Sequence, residues 1–152
     1  MSRHPPHPGA AVGREPPPRP ARRGAPPLLL VVHDPALRAR LARLADREGL
    51  CARVLGGADE ALAALGGARF LALLVEHAPP RLDGVSLLEE AARRGILPPA
   101  LLLTEQGDVA SAVRAIRAGA LDYLEAPFSD SQILRQLRPL RAAQCPDADL
   151  RP

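Results

Sequence analysis

A chain of 152 residues has room for one domain of ordinary size with short tails, and 47% of its residues are hydrophobic, enough for a core. Its one tyrosine and two phenylalanines exclude the aromatic stacking platforms of proteins that bind single-stranded nucleic acids. The net charge of +3 is uneven: residues 1–27 carry five arginines and one acid, and the remainder carries 15 arginines and 16 acids. We therefore expect no direct DNA binding by the folded part.

The two cysteines, Cys51 and Cys145, lie far apart and match no metal-ligand spacing. This usage favours a reduced, cytoplasmic protein. The apolar run at residues 28–32 is far too short to cross a membrane or to form the core of a signal peptide. No membrane contact is predicted.

Both ends of the chain are predicted to be disordered. Residues 1–27 contain nine of the 18 prolines and show no apolar periodicity, so they cannot bury enough surface to fold. Residues 143–152 form a short polar tail. The arginines of the leader leave open a contact with nucleic acid or with an acidic partner.

Between residues 28 and 142, short apolar runs alternate with amphipathic stretches. The apolar runs predict the strands of a buried sheet. The amphipathic stretches predict helices that begin at capping residues such as Asp34 and Ser129 and end at glycines such as Gly49 and Gly119. The predicted strands are 28–32, 53–55, 70–75, 100–104 and 122–125, and the predicted helices are 35–48, 59–65, 84–94, 108–118 and 129–142.

Two of these helices carry further predictions. In the helix at 108–118, Val109, Val113 and Ile116 recur at helical spacing, and we expect them to face the core. The helix at 59–65 is expected to end at the Gly66-Gly67 pair.

Five β–α units in a row imply an α/β fold with a parallel sheet, right-handed crossovers and helices on both faces. At this size the flavodoxin-like strand order 2-1-3-4-5 is expected. In such folds function lies at the carboxyl ends of the strands. The strand ends in question are Val32-His33-Asp34, Val75-Glu76-His77 and Thr104-Glu105.

Four motifs in order, without gaps, resemble the receiver domains of response regulators, closest to the NarL/FixJ type, whose fold is the CheY-like (βα)5 fold. They are Pro35-Ala36-Leu37-Arg38 at the start of the first helix, Pro80 with Asp83-Gly84 after strand 3, Thr104 at the end of strand 4, and Pro127-Phe128 after strand 5. Ala118-Gly119-Ala120 and Tyr123 also stand at matching places. The resemblance covers about residues 28–142.

The resemblance implies a pocket in which an acidic pair and an aspartate hold Mg²⁺, the aspartate accepts a phosphoryl group, and a lysine neutralises that group. In this chain the acidic-pair positions are Val32 and His33, the phosphoacceptor position is Glu76, and the lysine position is Ala126. A carboxylate attacks a phosphoryl dianion only where cations screen the repulsion, and Mg²⁺ requires oxygen ligands. We therefore expect no catalytic residue, no cofactor and no metal site, with Mg²⁺ binding weak or absent.

Thr104 and Tyr123 stand where the family has its switch pair of a hydroxyl and an aromatic ring. The alternative is a satisfied hydroxyl at a strand end and a packed ring. Glu76 is interpreted as a built-in negative charge at the place of the phosphate. A solvated or functionally silent residue is the alternative. With the lysine absent, we expect the ring of His33 to pair with Glu76, which would raise the pKa of His33.

The sequence thus predicts a pseudo-receiver, which is a signalling domain and not an enzyme. It would act through a histidine kinase, an effector, another regulator or a second copy of itself. The predicted contact face is formed by helix 4, strand 5 and helix 5 and carries Arg114, Arg117, Tyr123, Glu125, Arg135 and Arg138. The alternatives are a receiver phosphorylated at a non-standard acceptor and a truncated transcription regulator that lacks its DNA-binding domain.

Overall fold

A computed structural model describes residues 25–144 of the chain. Five strands alternate with five helices over this range. The strands are β1 (Leu28–Val31), β2 (Ala52–Leu55), β3 (Ala72–Glu76), β4 (Ala100–Thr104) and β5 (Asp122–Glu125). The helices are α1 (Pro35–Arg47), α2 (Ala58–Gly67), α3 (Gly84–Arg93), α4 (Val109–Ala118) and α5 (Asp130–Gln144). The predicted leader and tail lie almost entirely outside the described residues and stay predictions.

All five strands are parallel and lie in the order β2-β1-β3-β4-β5, which confirms the predicted fold and strand order. The bounds agree closely, with two differences of interest. Strand β3 starts two residues later than predicted and includes Glu76. Helix α2 runs through Gly66 and Gly67 instead of ending before them. Neither glycine has the positive φ that ends a helix, whereas Gly49, Gly95 and Gly119 do.

The helix starts follow from side chains that satisfy free backbone N–H groups. Asp34 accepts a hydrogen bond from the N–H of Leu37 at 2.8 Å, which confirms the predicted cap of α1. At α5 the Oγ of Ser129 accepts from the N–H of Gln132 at 3.1 Å, and the Gln132 side chain accepts from the N–H of Ser129 at 2.7 Å. This reciprocal capping box confirms Ser129 as the cap.

The sheet is covered on both faces, and β1, β3 and β4 are buried along their whole length. One face packs against α2, α3 and α4 through residues such as Leu73 and Leu88. The other packs against α1 and α5 through residues such as Leu74 and Leu44. The polar groups that end β1, β3 and β4 are therefore presented together at one edge.

Helix α4 is oriented opposite to the prediction. Val109, Val113 and Ile116, which we call the α4 stripe, are 80%, 41% and 49% exposed. The buried residues of α4 are the small Ser111 and Ala115. The spacing of the larger residues marks one helix face correctly, but periodicity alone does not say whether that face meets the sheet or the solvent. The small residues let α4 lie close to the sheet, so the stripe points outward.

The loop between β5 and α5 is held from α1 by Arg40. Its guanidinium forms an ion pair with Asp130 at 3.0 Å, donates to the carbonyl of Phe128 at 2.7 Å, and lies 5.0 Å from the centre of the Phe128 ring. Burial acts to raise the pKa of Asp130, but hydrogen bonds from Arg47 and Arg40 lower it overall. These contacts of Arg40 hold in place the loop that contains Ala126.

Candidate functional site at the carboxyl edge of the sheet

An open cavity of about 610 Å³ lies where β1, β3 and β4 end. This is the edge at which the topology predicts a functional site. The cavity is lined by His33, Asp34, Pro35, Glu76, His77, Ala78, Pro79, Arg81, Thr104, Glu105 and Gln106.

Glu76 is the buried carboxylate of this cavity, with only 5% of its surface exposed. Its Oε1 atom accepts two hydrogen bonds from the loop between β1 and α1: one from the backbone N–H of His33 at 2.7 Å and one from that of Asp34 at 3.0 Å. Among the residues that the structure describes, none donates to the second oxygen, Oε2. The side chain therefore bridges the ends of β1 and β3, and it is not the solvated residue that a strand end usually carries.

The predicted ion pair between His33 and Glu76 is wrong. The two residues are neighbours, but His33 contributes its backbone N–H, and its side chain is exposed. No ion pair joins the imidazole to the carboxylate among the described residues. Glutamate is long enough to reach the loop amides directly, and these amides satisfy its Oε1 without a side-chain cation.

The remaining predicted positions divide into two groups. Thr104 lines the cavity together with Glu76 and His33, whereas Val32 and Ala126 do not. Val32 is fully buried in the core between the sheet and α1 and α5. Ala126 is half-buried against the same core, and its N–H donates to the carbonyl of Thr104 at 2.8 Å. Two positions that would carry charge in an acidic and basic pocket are apolar here.

Thr104 directs its hydroxyl toward backbone atoms. The Oγ1 atom lies 2.9 Å from the carbonyl oxygen of His77 and 3.3 Å from that of Gln106, so its single proton is shared between two acceptors. The hydroxyl thus connects the end of β3 to the loop between β4 and α4.

Tyr123 contacts that same loop from β5. Its hydroxyl oxygen accepts from the N–H of Asp108 at 3.3 Å, and the neighbouring Glu125 accepts from the N–H of Gly107 at 3.1 Å. A Cβ on Gly107 would lie 2.8 Å from the Tyr123 hydroxyl oxygen, so the ring occupies space that only glycine leaves free. Burial, opposed by the Asp108 hydrogen bond and aided by the carboxylates of Asp108 and Glu125, raises the pKa of Tyr123.

We expect Gly107→Ala to displace the Tyr123 ring and to bring its pKa back toward 10.0, the ordinary value. The clash is with the far end of a side chain, so the ring moves and the backbone stays. Because folding raises the pKa of Tyr123, its neutral side chain contributes to stability. This contribution is fully present at pH values below the pKa of the unfolded chain, and it is lost as pH rises through the pKa of the folded protein. Tyr123 is the only tyrosine and tryptophan is absent, so near-ultraviolet phenolate absorbance reads it directly.

The matched control for this titration is Gly56→Ala, because a Cβ at Gly56 meets no atom within 4 Å. The control variant should keep the raised pKa. Equal pKa values for Tyr123 in wild type and in Gly107→Ala would contradict the described contact.

His77 is a polar residue of the site for which the sequence indicated no role. It is 8% exposed, and its Nδ1 atom accepts from the N–H of Val85 at 3.3 Å. The same atom lies 3.6 Å from a carboxylate oxygen of Asp83. The ring therefore connects the end of β3 to the start of α3. Its position directly after a buried strand was the only sequence signal.

These residues do not fit a magnesium site. Mg²⁺ requires several oxygen ligands in near-octahedral geometry. Here Glu76 Oε1 already accepts two N–H groups, and Val32 and His33 supply no side-chain oxygen. Within residues 25–144, no three His, Cys, Asp or Glu side chains group closely enough to hold a metal ion.

The fold and the site together define a doubly wound α/β domain of the CheY-like kind. The sequence model of the response regulator receiver domain matches residues 28–138. The chain belongs to this family and is a receiver domain of the response regulators of signal transduction.

Individual relatives support the same assignment. The chain is 31% identical over 130 residues to the transcriptional regulatory protein FixJ of Bradyrhizobium diazoefficiens, covering 81% of this chain and 63% of FixJ. It is 32% identical to the response regulator MprA of Mycobacterium avium, covering 80% of this chain and 54% of MprA. The crystal structure of FixJ-N superposes with a TM-score of 0.67 at 29% identity, over 75% of this chain and 91% of that one. The chain thus spans less than two thirds of these two relatives. No helix in the described part of the chain is long and apolar enough to cross a membrane.

Proposed function

We propose that this chain is a pseudo-receiver, which signals through protein–protein contacts without a cycle of aspartate phosphorylation. The observation that carries the proposal is the position of Glu76, whose Oε1 accepts the backbone N–H groups of His33 and Asp34. A nucleophilic oxygen must be free to approach phosphorus, with cations beside it. One Glu76 oxygen is instead hydrogen-bonded within the domain, and among the described residues no cation is paired with the other.

The surrounding charges support the same proposal. Phosphoryl transfer is driven by electrostatic stabilisation of the transferred group. Val32 is in the core, Ala126 is apolar, and the chain contains no lysine. Among the described residues, no arginine or histidine forms an ion pair with Glu76. The domain is therefore proposed to be neither an enzyme nor a phosphoacceptor. Its place of action is proposed, from the cysteine usage, to be the cytoplasm.

The proposal is tested by incubating the full chain with acetyl phosphate and Mg²⁺ and reading its intact mass. We expect no stoichiometric gain of a phosphoryl group, because no lysine is present to neutralise the group and no cation is paired with Glu76 among the described residues. A gain of one phosphoryl group that Glu76→Gln abolishes would establish the alternative, a receiver phosphorylated at a non-standard acceptor.

The proposed contact surface is the face formed by α4, β5 and α5, with the α4 stripe at its centre. Exposed apolar side chains grouped on one helix face mark interaction sites. Two of the arginines predicted to act there are engaged within the domain: Arg114 pairs with Glu89 on α3 at 2.6 Å, and Arg138 pairs with Glu48 at 3.2 Å. The stripe, and not these arginines, is therefore proposed to drive contact with a histidine kinase, an effector, another regulator or a second copy.

We expect the double variant Val113→Asn/Ile116→Asn to weaken self-association or effector capture at least about tenfold, since loss of two apolar anchors removes more than about 1.4 kcal/mol of binding free energy. Sedimentation velocity and pull-down measure the effect. Val54→Asn is the matched control, because Val54 is 38% exposed on β2 at the opposite edge of the sheet. Equal association of both variants and wild type would exclude the stripe as the contact surface.

A second candidate function comes from the relatives. FixJ is a transcriptional regulatory protein, and the chain covers 63% of its length. A receiver domain of a transcriptional regulator is therefore the second candidate. In that case the domain would influence transcription through the partner that it contacts, and the same α4 stripe variants would test it.

A further inference from the structure

The cavity at the carboxyl edge of the sheet contains a buried carboxylate oxygen without a partner. Glu76 is 5% exposed, and both hydrogen bonds that it accepts end on Oε1. Among the described residues, neither a side chain nor a backbone N–H donates to Oε2. A buried charged oxygen without a donor is unfavourable, so the cavity requires a donor from outside the domain.

The charge around this oxygen is negative. Three carboxylates line the cavity, those of Asp34, Glu76 and Glu105, against the single arginine Arg81. Asp34 uses one oxygen to cap α1 but keeps its charge. Arg81 is exposed and forms no ion pair with Glu76 among the described residues. Water that enters can donate to Oε2 but cannot compensate the charge.

A compact metal ion does not meet this requirement. The three carboxylates line the cavity but do not come close enough together to hold one ion, since no three His, Cys, Asp or Glu side chains within residues 25–144 do so, and two N–H groups already point at the Glu76 carboxylate. An organic cation differs, because it needs one charged acceptor and donates hydrogen bonds instead of collecting lone pairs. The cavity of about 610 Å³ has room for a guanidinium or ammonium group with part of its carbon stem.

We propose that this cavity binds a cationic side chain, a guanidinium or an ammonium group, which donates to Oε2 of Glu76. The source that fits the proposed function is an arginine or lysine of the protein partner, inserted from outside. The inference deepens that proposed function, since it names the chemistry by which a partner would recognise the pocket. The two proposals can fail independently, because they are tested by different measurements. Phosphoryl transfer is measured by intact mass, and cation binding is measured by the NMR signals of the loop amides.

The experiment follows the backbone amide signals of His33 and Asp34 by NMR in the full chain, because both amides donate to the Glu76 carboxylate. The probes are arginine amide, lysine amide and the peptide Gly-Arg-Gly, with Mg²⁺ as a separate titrant. We expect saturable shifts at both amides with the organic cations. If the peptide binds more tightly than arginine amide, the site is assigned to a side chain of a polypeptide. If arginine amide binds more tightly, the site is assigned to a free amine. Both outcomes agree with the proposed chemistry, a cationic group that donates to Oε2 of Glu76.

The decisive variant is Glu76→Gln. Its carbonyl oxygen still accepts from the two loop amides, while a neutral NH₂ group replaces Oε2, so the fold is kept and the acceptor is lost. We expect affinity to fall at least about tenfold, the change that loss of one charge-assisted hydrogen bond of about 1.4 kcal/mol produces. Glu60→Gln, an exposed residue of α2, is the control for net charge. Shifts that do not saturate, equal affinity in both variants, or saturation by Mg²⁺ in place of the organic cations would each overturn the proposal.

Discussion

Replacement of Gly84 by alanine is expected to lower the free energy of unfolding by about 2–4 kcal/mol, because overpacking at a rigid contact is costly. A Cβ at Gly84 would lie 2.6 Å from the carbonyl oxygen of Glu76 and 3.2 Å from a methyl group of Val75. The first of these atoms belongs to the backbone of a central strand, so it cannot move aside. Helix α3 would have to shift away from β3.

The matched control is Gly66→Ala in α2, where a Cβ meets no atom within 4 Å. Alanine is favoured over glycine inside a helix, so this variant should be more stable by about 0.5–1 kcal/mol. Denaturant unfolding followed by circular dichroism measures both changes. The close contact between β3 and α3 would be contradicted if both variants changed the free energy of unfolding in the same direction. It would also be contradicted if the Gly84→Ala protein were as stable as wild type.

Truncation of Glu76 is the second change with a large expected effect. In Glu76→Ala the N–H groups of His33 and Asp34 lose their acceptor, and partly buried donors without partners cost about 1–3 kcal/mol. We therefore expect a stability loss of about 2 kcal/mol, with faster amide hydrogen exchange confined to the loop between β1 and α1. Glu76→Gln keeps an acceptor oxygen and should lose less than half as much.

Glu105→Ala separates this effect from a general change of charge at the cavity. Glu105 lines the same cavity but is exposed, so its removal should change stability by no more than about 0.5 kcal/mol. If Glu76→Ala and Glu105→Ala unfold at the same denaturant concentration, the bridge from β3 to the β1–α1 loop does not contribute to stability.

The fold follows from local signals that act independently of one another. Apolar runs at 28–32 and 100–104 mark buried strands, Asp34 and Ser129 mark helix starts, and Gly119 with φ of 117° marks a helix end. Each of these depends on a residue and its near neighbours in the chain. Together they determine the order of the elements, and the handedness of parallel crossovers then limits the topology.

The parts that the sequence did not predict depend on contacts between distant segments. Whether the α4 stripe faces the sheet depends on how closely Ser111 and Ala115 let α4 approach the sheet. The spacing of apolar residues in the sequence carries no information on that distance. The partner of Glu76 lies 42 and 43 positions away and is a pair of backbone N–H groups. Side-chain chemistry suggested His33, but every residue except proline carries an N–H, so no residue type could have indicated these donors.

The small inner residues of α4 have a mechanical consequence. Helices that interlock through large side chains must repack when they turn, whereas α4 buries only Ser111 and Ala115 on its own length. The face of α4 that packs on the sheet therefore carries few side-chain ridges that would resist rotation about the helix axis. Rotation of α4 would change the direction of its three aliphatic side chains, and the ion pair of Arg114 with Glu89 on α3 opposes that rotation.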